Sequence, residues 1–338
     1  MNPEKNLAGS LLVSAAAVVI VIAGIKSAAA MLVPFLMAIF IAVLSAPLMH
    51  WLTRHKVPDV IAVLMVVLGF LLVGTVLASF VGTTLNAFYR DVPVYEQKLQ
   101  TLTSHGVAWL RSLGVEVADN VIREYVNPGV VMKTVASVFN GLGSVLTNTF
   151  LILFTVIFIL LEASGFPQKV KRAFGEETLA FTHFERFSQS VQQYLMIKTV
   201  VSFGTGVTVA LLLALLGVDY WALWGLVAFL LNYIPSIGSI IAAIPAVLIA
   251  LIQLGPGIAA LTAVVYVVVN MLFGNVIEPR LMGRSLGLST LVVFLSLVFW
   301  GWILGPVGML LSIPLTMVVK IALETNPQSR WIATLLDH

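Results

Sequence analysis

The residues able to do chemistry in this chain are few and clustered. Between positions 196 and 325 only Lys198, Asp219, Glu278, Arg280, Arg284, Lys320 and Glu324 are charged. A carboxylate among apolar residues can hold a proton or a cation, and a nearby arginine can close over it. Glu278, with Pro279 and Arg280 behind it, is therefore a gate or coupling candidate; its plainer role is a loop carboxylate paired with that arginine. Asp219 is a second coupling candidate, although it also stands directly before a helix, where a carboxylate serves as an N-cap. Asn232, Tyr233, Pro235, Ser236 and Gly238 interrupt one apolar run, and Trp300 and Pro306 mark the interruption of another, with Asn270 between them. A helix broken inside an apolar medium frees N–H groups that bind anionic or hydroxylated solutes, and carbonyls that bind cations. Asn and Ser at such places also serve as helix–helix hydrogen-bonding groups.

Enzyme signatures are sparse. Gly283-Arg-Ser-Leu-Gly287 has the spacing of a nucleophile elbow, which needs a preceding strand and a histidine partner. An apolar helix precedes it here, and the histidines lie at 50, 55, 105, 183 and 338. A capped turn is expected instead, with Ser285 or Ser289 opening the next helix. No Walker A sequence is present, Cys is absent, and neither a cofactor nor a metal site is expected.

The elements that must position these residues follow from composition. Of 338 residues, 60% are hydrophobic and 10% charged, against about 45–50% and about 25% in soluble proteins. That excludes a soluble enzyme, a disulfide scaffold and a disordered chain, and leaves a protein whose solvent is the lipid bilayer. The runs Leu7–Ile25, Met31–Met49, Val60–Leu85, Val145–Leu161, Met196–Gly217 and Gly257–Phe273 are unbroken rather than alternating. They fit spanning helices, not barrel strands. The expected fold class is all-α, a polytopic transmembrane helical bundle. Ala28-Ala29-Ala30 has the small residues of a signal-cleavage site, but the apolar run before it exceeds an h-region, so an uncleaved first helix is expected.

Charge distribution sets the organisation. Residues 86–145 carry ten charges and 163–195 carry seven. In the first stretch Tyr95, Leu99, Leu102, Trp109 and Leu113 form an apolar stripe at helical spacing. Asn127-Pro128 reads as a helix start. The expected parts are scaffold helices in 1–85, an extramembrane amphipathic segment in 86–145, a spanning helix and amphipathic linker in 146–195, a transport domain in 196–325 and a tail in 326–338. Arg54 and Lys56, and then Lys169, Lys171, Arg172 and Arg186, place their loops in the cytoplasm, with the N-terminus. The net charge of +3 sits in such loops, not in an arm for nucleic acid.

The second half repeats. Met196–Gly217 is followed by a short run Tyr220–Asn232, a break, and a run to Leu254. Gly257–Phe273 is followed by a polar turn Gly274–Leu286, a run Gly287–Leu304, a break at Gly305-Pro-Val-Gly308 and a run to Leu323. Pro235, Gly238 and Pro245 align with Pro306, Gly308 and Pro314. The topology count makes the two units inverted. Thirteen helical residues rise about 20 Å, short of a roughly 30 Å core, so re-entrant hairpins are expected. Paired broken segments in inverted halves point to a secondary transporter with its site where the breaks meet.

Three motifs, Asn232-Tyr-Ile-Pro-Ser-Ile-Gly-Ser239, Gly274-Asn-Val-Ile-Glu-Pro-Arg-Leu-Met-Gly283 and Trp300-Gly-Trp-Ile-Leu-Gly-Pro-Val-Gly308, resemble the autoinducer-2 exporter family of bacterial inner-membrane proteins. The resemblance covers nearly the whole chain. It implies a permease that exports a small hydroxylated signal molecule by an elevator-like motion, as a homo-oligomer with a pentamer as the candidate state. Other members of that family are described as sodium(lithium)/proton antiporters, which keeps cation exchange as the alternative function. A non-transporting membrane scaffold is a third expectation, weakened by the paired breaks.

Overall fold

The structure is a computed structural model that describes residues 3–112, 149–163, 165, 169, 172, 179–235, 237–282, 288–325 and 330–336. Asn127-Pro128, Ser236, Arg284 and Ser285 lie outside the described residues. The described residues are predominantly helical, with α1 Pro3–Ser27, α2 Ala29–Arg54, α3 Asp59–Ser112, α4 Thr149–Ala163 and α5 Leu179–Leu215. Next come α6 Trp221–Leu231, α7 Gly238–Leu254, α8 Pro256–Asn270, a π-helical stretch Met271–Ile277, α9 Glu278–Met282, α10 Thr290–Leu310, α11 Ser312–Thr325 and α12 Arg330–Leu335. Among the described residues five helical stretches are long and apolar enough to cross a membrane, and α6 and α7 fall short of that length. The all-α polytopic fold is as expected.

The chain divides into two compact units. One comprises Met1–Val67, Phe150–Gln193 and Ser285–His338, the other Leu68–Thr149 and Tyr194–Arg284. The break at Pro235 belongs to the second unit and the break at Pro306 to the first. The second unit holds the large apolar core: Phe88, Tyr95 and Leu99 of α3, Val209 and Leu213 of α5, Leu223 and Trp224 of α6, Ala246 and Ile249 of α7, and Tyr266 of α8.

α5 shows how one sequence serves two media. Tyr194, Lys198, Val201, Ser202, Thr205, Val209 and Leu213 are buried, while Val200, Phe203, Val207, Leu211 and Leu215 are exposed. Steps of three and four separate the two faces. From Met196 onward the exposed residues of α5 are all apolar, as lipid requires; the exposed polar residues Ser188, Gln189 and Gln193 precede that stretch.

Three boundaries differ from the sequence expectation. The chain does not change element at 85/86, because α3 runs on for 54 residues, about 80 Å at 1.5 Å per residue. In its polar half Tyr95 and Leu99 of the expected apolar stripe bury in this chain's own core, and Leu113 lies outside the described residues. The expected polar turn Gly274–Leu286 is helical through Met282. Its few polar groups leave the backbone to satisfy itself, and a helix does that without water. The linker 163–195 also ends inside a helix, since α5 begins at Leu179.

Both breaks are present, and both depend on glycine. At the first, Ile234 N–H reaches Leu231 O at 2.9 Å, Ile237 N–H reaches Pro235 O at 2.6 Å and Gly238 N–H reaches Ile234 O at 3.3 Å. A Cβ on Gly238 would stand 1.8 Å from Leu231 O. At the second, Gly305 takes φ 68, ψ −150 within α10, and a Cβ on Gly308 would stand 2.0 Å from Trp300 O. In each case the chain closes back on the last carbonyls of the preceding helix. Gly238→Ala or Gly308→Ala must push backbone apart, at a cost of about 1–3 kcal/mol or more. Thermal unfolding of purified protein should show both variants strongly destabilised, with Gly82→Ala, whose Cβ meets open space, close to wild type.

Candidate functional site

The first break sets its side chains against α5. Asn232 is buried and donates through Nδ2 to Ser202 Oγ at 2.9 Å. Tyr233, also buried, donates its hydroxyl to Thr199 Oγ1 at 2.8 Å. Pro235 and Gly238 are buried in the turn itself. Beside these, Lys198 donates to both oxygens of Glu278, at 2.8 and 2.9 Å. The Lys198 side chain is 6% exposed and that of Glu278 17%. Tyr194, buried one turn before Lys198, lies within electrostatic reach of Glu278 and Tyr233.

Thus α5, the first break and α9 bring together Tyr194, Lys198, Thr199, Ser202, Asn232, Tyr233 and Glu278. The cluster offers one ammonium, one carboxylate, an amide and several hydroxyls on one helix face. Such a set can hold a hydroxyl-rich solute or exchange a counter-charge. Glu278 therefore pairs with Lys198, 80 residues earlier, rather than with Arg280, which is exposed. Side chains one turn or less apart on a short helix point away from each other at i,i+2, so the nearby arginine is badly placed for the task.

Glu278 is positioned by an unusual piece of backbone. The π-helical stretch Met271–Ile277 directly precedes it. Phe273 of that stretch packs where a side chain on Gly204 would be, since a Cβ there would meet its ring at 2.6 Å. Asn270 is half-buried at the end of α8, with Oδ1 3.4 Å from where a Cβ on Gly274 would stand. No hydrogen bond ties it to the cluster among the contacts described.

Asp219 does not cap α6. The residue before that helix is Tyr220, with φ 59, and no side chain caps the end. Asp219 instead accepts the Tyr95 hydroxyl at 2.8 Å, its N–H donates to Gln253 Oε1 at 2.8 Å, and its carbonyl accepts Trp224 Nε1–H at 2.9 Å. The left-handed backbone at Tyr220 turns the carboxylate toward α3, and the Tyr220 hydroxyl donates to Asp91. Burial first, then the hydrogen bond to Asp91 and its charge, pushes the Tyr220 phenol up, so it remains a donor.

The second break is built differently and lies in the other unit. Trp300 is half-buried and donates Nε1–H to Thr316 Oγ1 at 3.0 Å; Pro306 is exposed. Lys26 Nζ sits 3.7 Å from the ring centroid of exposed Trp302. Ser289 caps α10, accepting from Val292 N–H at 3.3 Å, as expected for the turn after Gly283.

Membrane-length helices, two glycine-closed breaks and a buried ion pair on a polar helix face define a multi-pass membrane protein of the solute-transporting kind. The family model described as AI-2E family transporter matches residues 15–328. The chain is 41% identical over 319 residues to the "AI-2 transport protein TqsA" of Escherichia coli K12, covering 94% of this chain and 93% of that protein. It is also 41% identical over 344 residues to a "Putative transport protein" of Haemophilus influenzae, covering 99% and 98%. The chain belongs to the AI-2E family of transporters.

Lys198 was visible in the sequence only as one of seven charges, and nothing local pointed to its partner. The structural test is removal of one charge against removal of both. Breaking a buried pair costs about 3–5 kcal/mol, whereas replacing both members by apolar groups is often neutral or stabilising. Lys198→Met alone should therefore lower the unfolding temperature clearly, and Lys198→Met with Glu278→Met should restore it. Equal melting of the single and double variants would contradict a buried pair.

Proposed function

We propose that this protein exports autoinducer-2, or a similarly small hydroxylated solute, across the bacterial inner membrane as a secondary transporter, with its N-terminus in the cytoplasm. The observation that carries the proposal is the seating of Asn232 and Tyr233 on the polar face of α5, beside Lys198 and Glu278. Amide, hydroxyl and ammonium donors suit a compact polyol and its borate ester, which adds a negative charge. The similarity to a protein named as an AI-2 transport protein supports the same substrate. Residues 196–325 act as the transport domain, moving in elevator fashion against scaffold helices that also make homo-oligomer contacts. Ser236, Asn270, Trp300 and Pro306 remain proposed solute contacts, with Arg280 and Asp219 as gate or coupling groups.

The test is efflux of labelled autoinducer-2 from vesicles carrying the protein. Wild-type protein should speed efflux over empty vesicles. Asn232→Leu should cut it by an order of magnitude or more, since it removes a buried donor and leaves Ser202 without that partner. Unchanged efflux in Asn232→Leu would sink the site assignment, and no efflux by the wild type would sink the substrate.

The buried Lys198–Glu278 pair favours a second function, sodium(lithium)/proton exchange, because a membrane carboxylate released from its lysine can take a cation. In proteoliposomes under a sodium gradient, that function requires sodium-dependent proton movement that disappears in Glu278→Gln. A sodium gradient that moves no protons in the wild type would remove it.

A further inference from the structure

We propose that Lys198 is the charge-selecting residue of the transport site, and that an anionic, hydroxyl-bearing solute takes the place of the Glu278 carboxylate on its ammonium. The inference rests on the export function above and names the charge class that the site prefers.

The two members of the pair are not held alike. Lys198 lies within a helix of 37 residues and is 5% exposed. Its ammonium cannot snorkel to water while its helix stays packed, so it requires an anion in every state. Glu278 is the more exposed partner and opens a helix of only five residues behind the π-helical stretch. π turns are rare and cluster at functional sites. Relaxing one π turn to α-helix advances everything behind it by one residue, a rotation of roughly 100°. That would turn Glu278 off the lysine while Phe273, packed at Gly204, keeps the start of the stretch on α5.

Among the described residues, the other polar groups on this stretch of α5 and the first break are the hydroxyls and amide of Tyr194, Thr199, Ser202, Asn232 and Tyr233. None of them carries a negative charge. A neutral polyol would leave the ammonium uncompensated, whereas an anionic one restores the balance and finds hydroxyl and amide partners beside it. The pair thus acts as a competitor: the carboxylate occupies the position that the solute needs. A pair retained for stability alone would gain from apolar replacement.

The probe is 1,4-anhydroerythritol, a five-membered ring with a cis-diol, offered free and as its borate ester. Binding to the purified full-length chain in detergent is read by equilibrium dialysis. The wild type should hold the ester about tenfold more tightly than the free diol, equivalent to about 1.4 kcal/mol. Glu278→Gln, which removes the competing charge, should hold the ester more tightly again by a similar factor. Lys198→Met with Glu278→Met should fold, as its thermal unfolding will show, and bind both forms equally. No preference in the wild type, a preference surviving in the double variant, or weaker ester binding in Glu278→Gln would each overturn the inference. None of these results depends on autoinducer-2 efflux, so failure of the substrate assignment would be seen separately.

Discussion

A lysine ammonium placed at membrane depth must meet a negative charge, and much of the second unit is arranged around that need. Lys198 finds its anion in Glu278, 80 residues further along the chain. The contact ties the inner face of α5 to the segment behind α8, and the first break packs its own polar groups alongside. Ser202 one turn on receives Asn232, and Thr199 receives Tyr233. Because lipid offers no alternative partners, each of these bonds narrows the positions the neighbouring helices can adopt. The exposed face of α5 from Met196 onward carries none of this burden and is accordingly free of polar residues.

The same scarcity of partners explains the form of the breaks. A proline removes a donor and displaces a carbonyl, and in water solvent takes over the group left unpaired. In hydrocarbon the chain must turn so tightly that its own amides reach back to the preceding helix. Gly238 and Gly308 permit this because a side chain at either would collide with a carbonyl of that helix. The spacing of Pro and Gly thus encodes more than the interruption of a helix: it specifies a turn that satisfies its own backbone.

What could be read from the sequence is what lipid imposes on it. Apolar runs located α1 and α2 to within about five residues but not the polar extensions of α3 and α5, and Pro235, Gly238, Pro306 and Gly308 marked both breaks. The shortage of charge singled out Glu278 and Asp219. Their partners were hidden, because pairing across a bundle leaves no local trace. Arg280 is two residues from Glu278 but on the wrong side of the helix, while Lys198 is distant in sequence and near in space. Asp219 had the sequence position of an N-cap, yet the left-handed backbone at Tyr220 turns it to Tyr95. The continuity of α3 through residue 85 was equally hidden, since a drop in hydropathy marks where lipid ends and not where a helix ends. Ser236 lies outside the described residues, and its part in the site remains a proposal.

The two breaks share a backbone solution but not a chemistry, and this difference bears on how the protein works. The first places an amide and a phenol next to an ion pair. The second places Trp300 against Thr316 and leaves Pro306 exposed, and beside it Lys26 is stacked on Trp302. A cation–π contact holds a charge without a counter-ion that could be exchanged. Among the described contacts, the first break sits beside a lysine paired with a carboxylate 80 residues away. The two turns are alike in how glycine closes them, and the proposed solute selection rests on the ion pair beside the first.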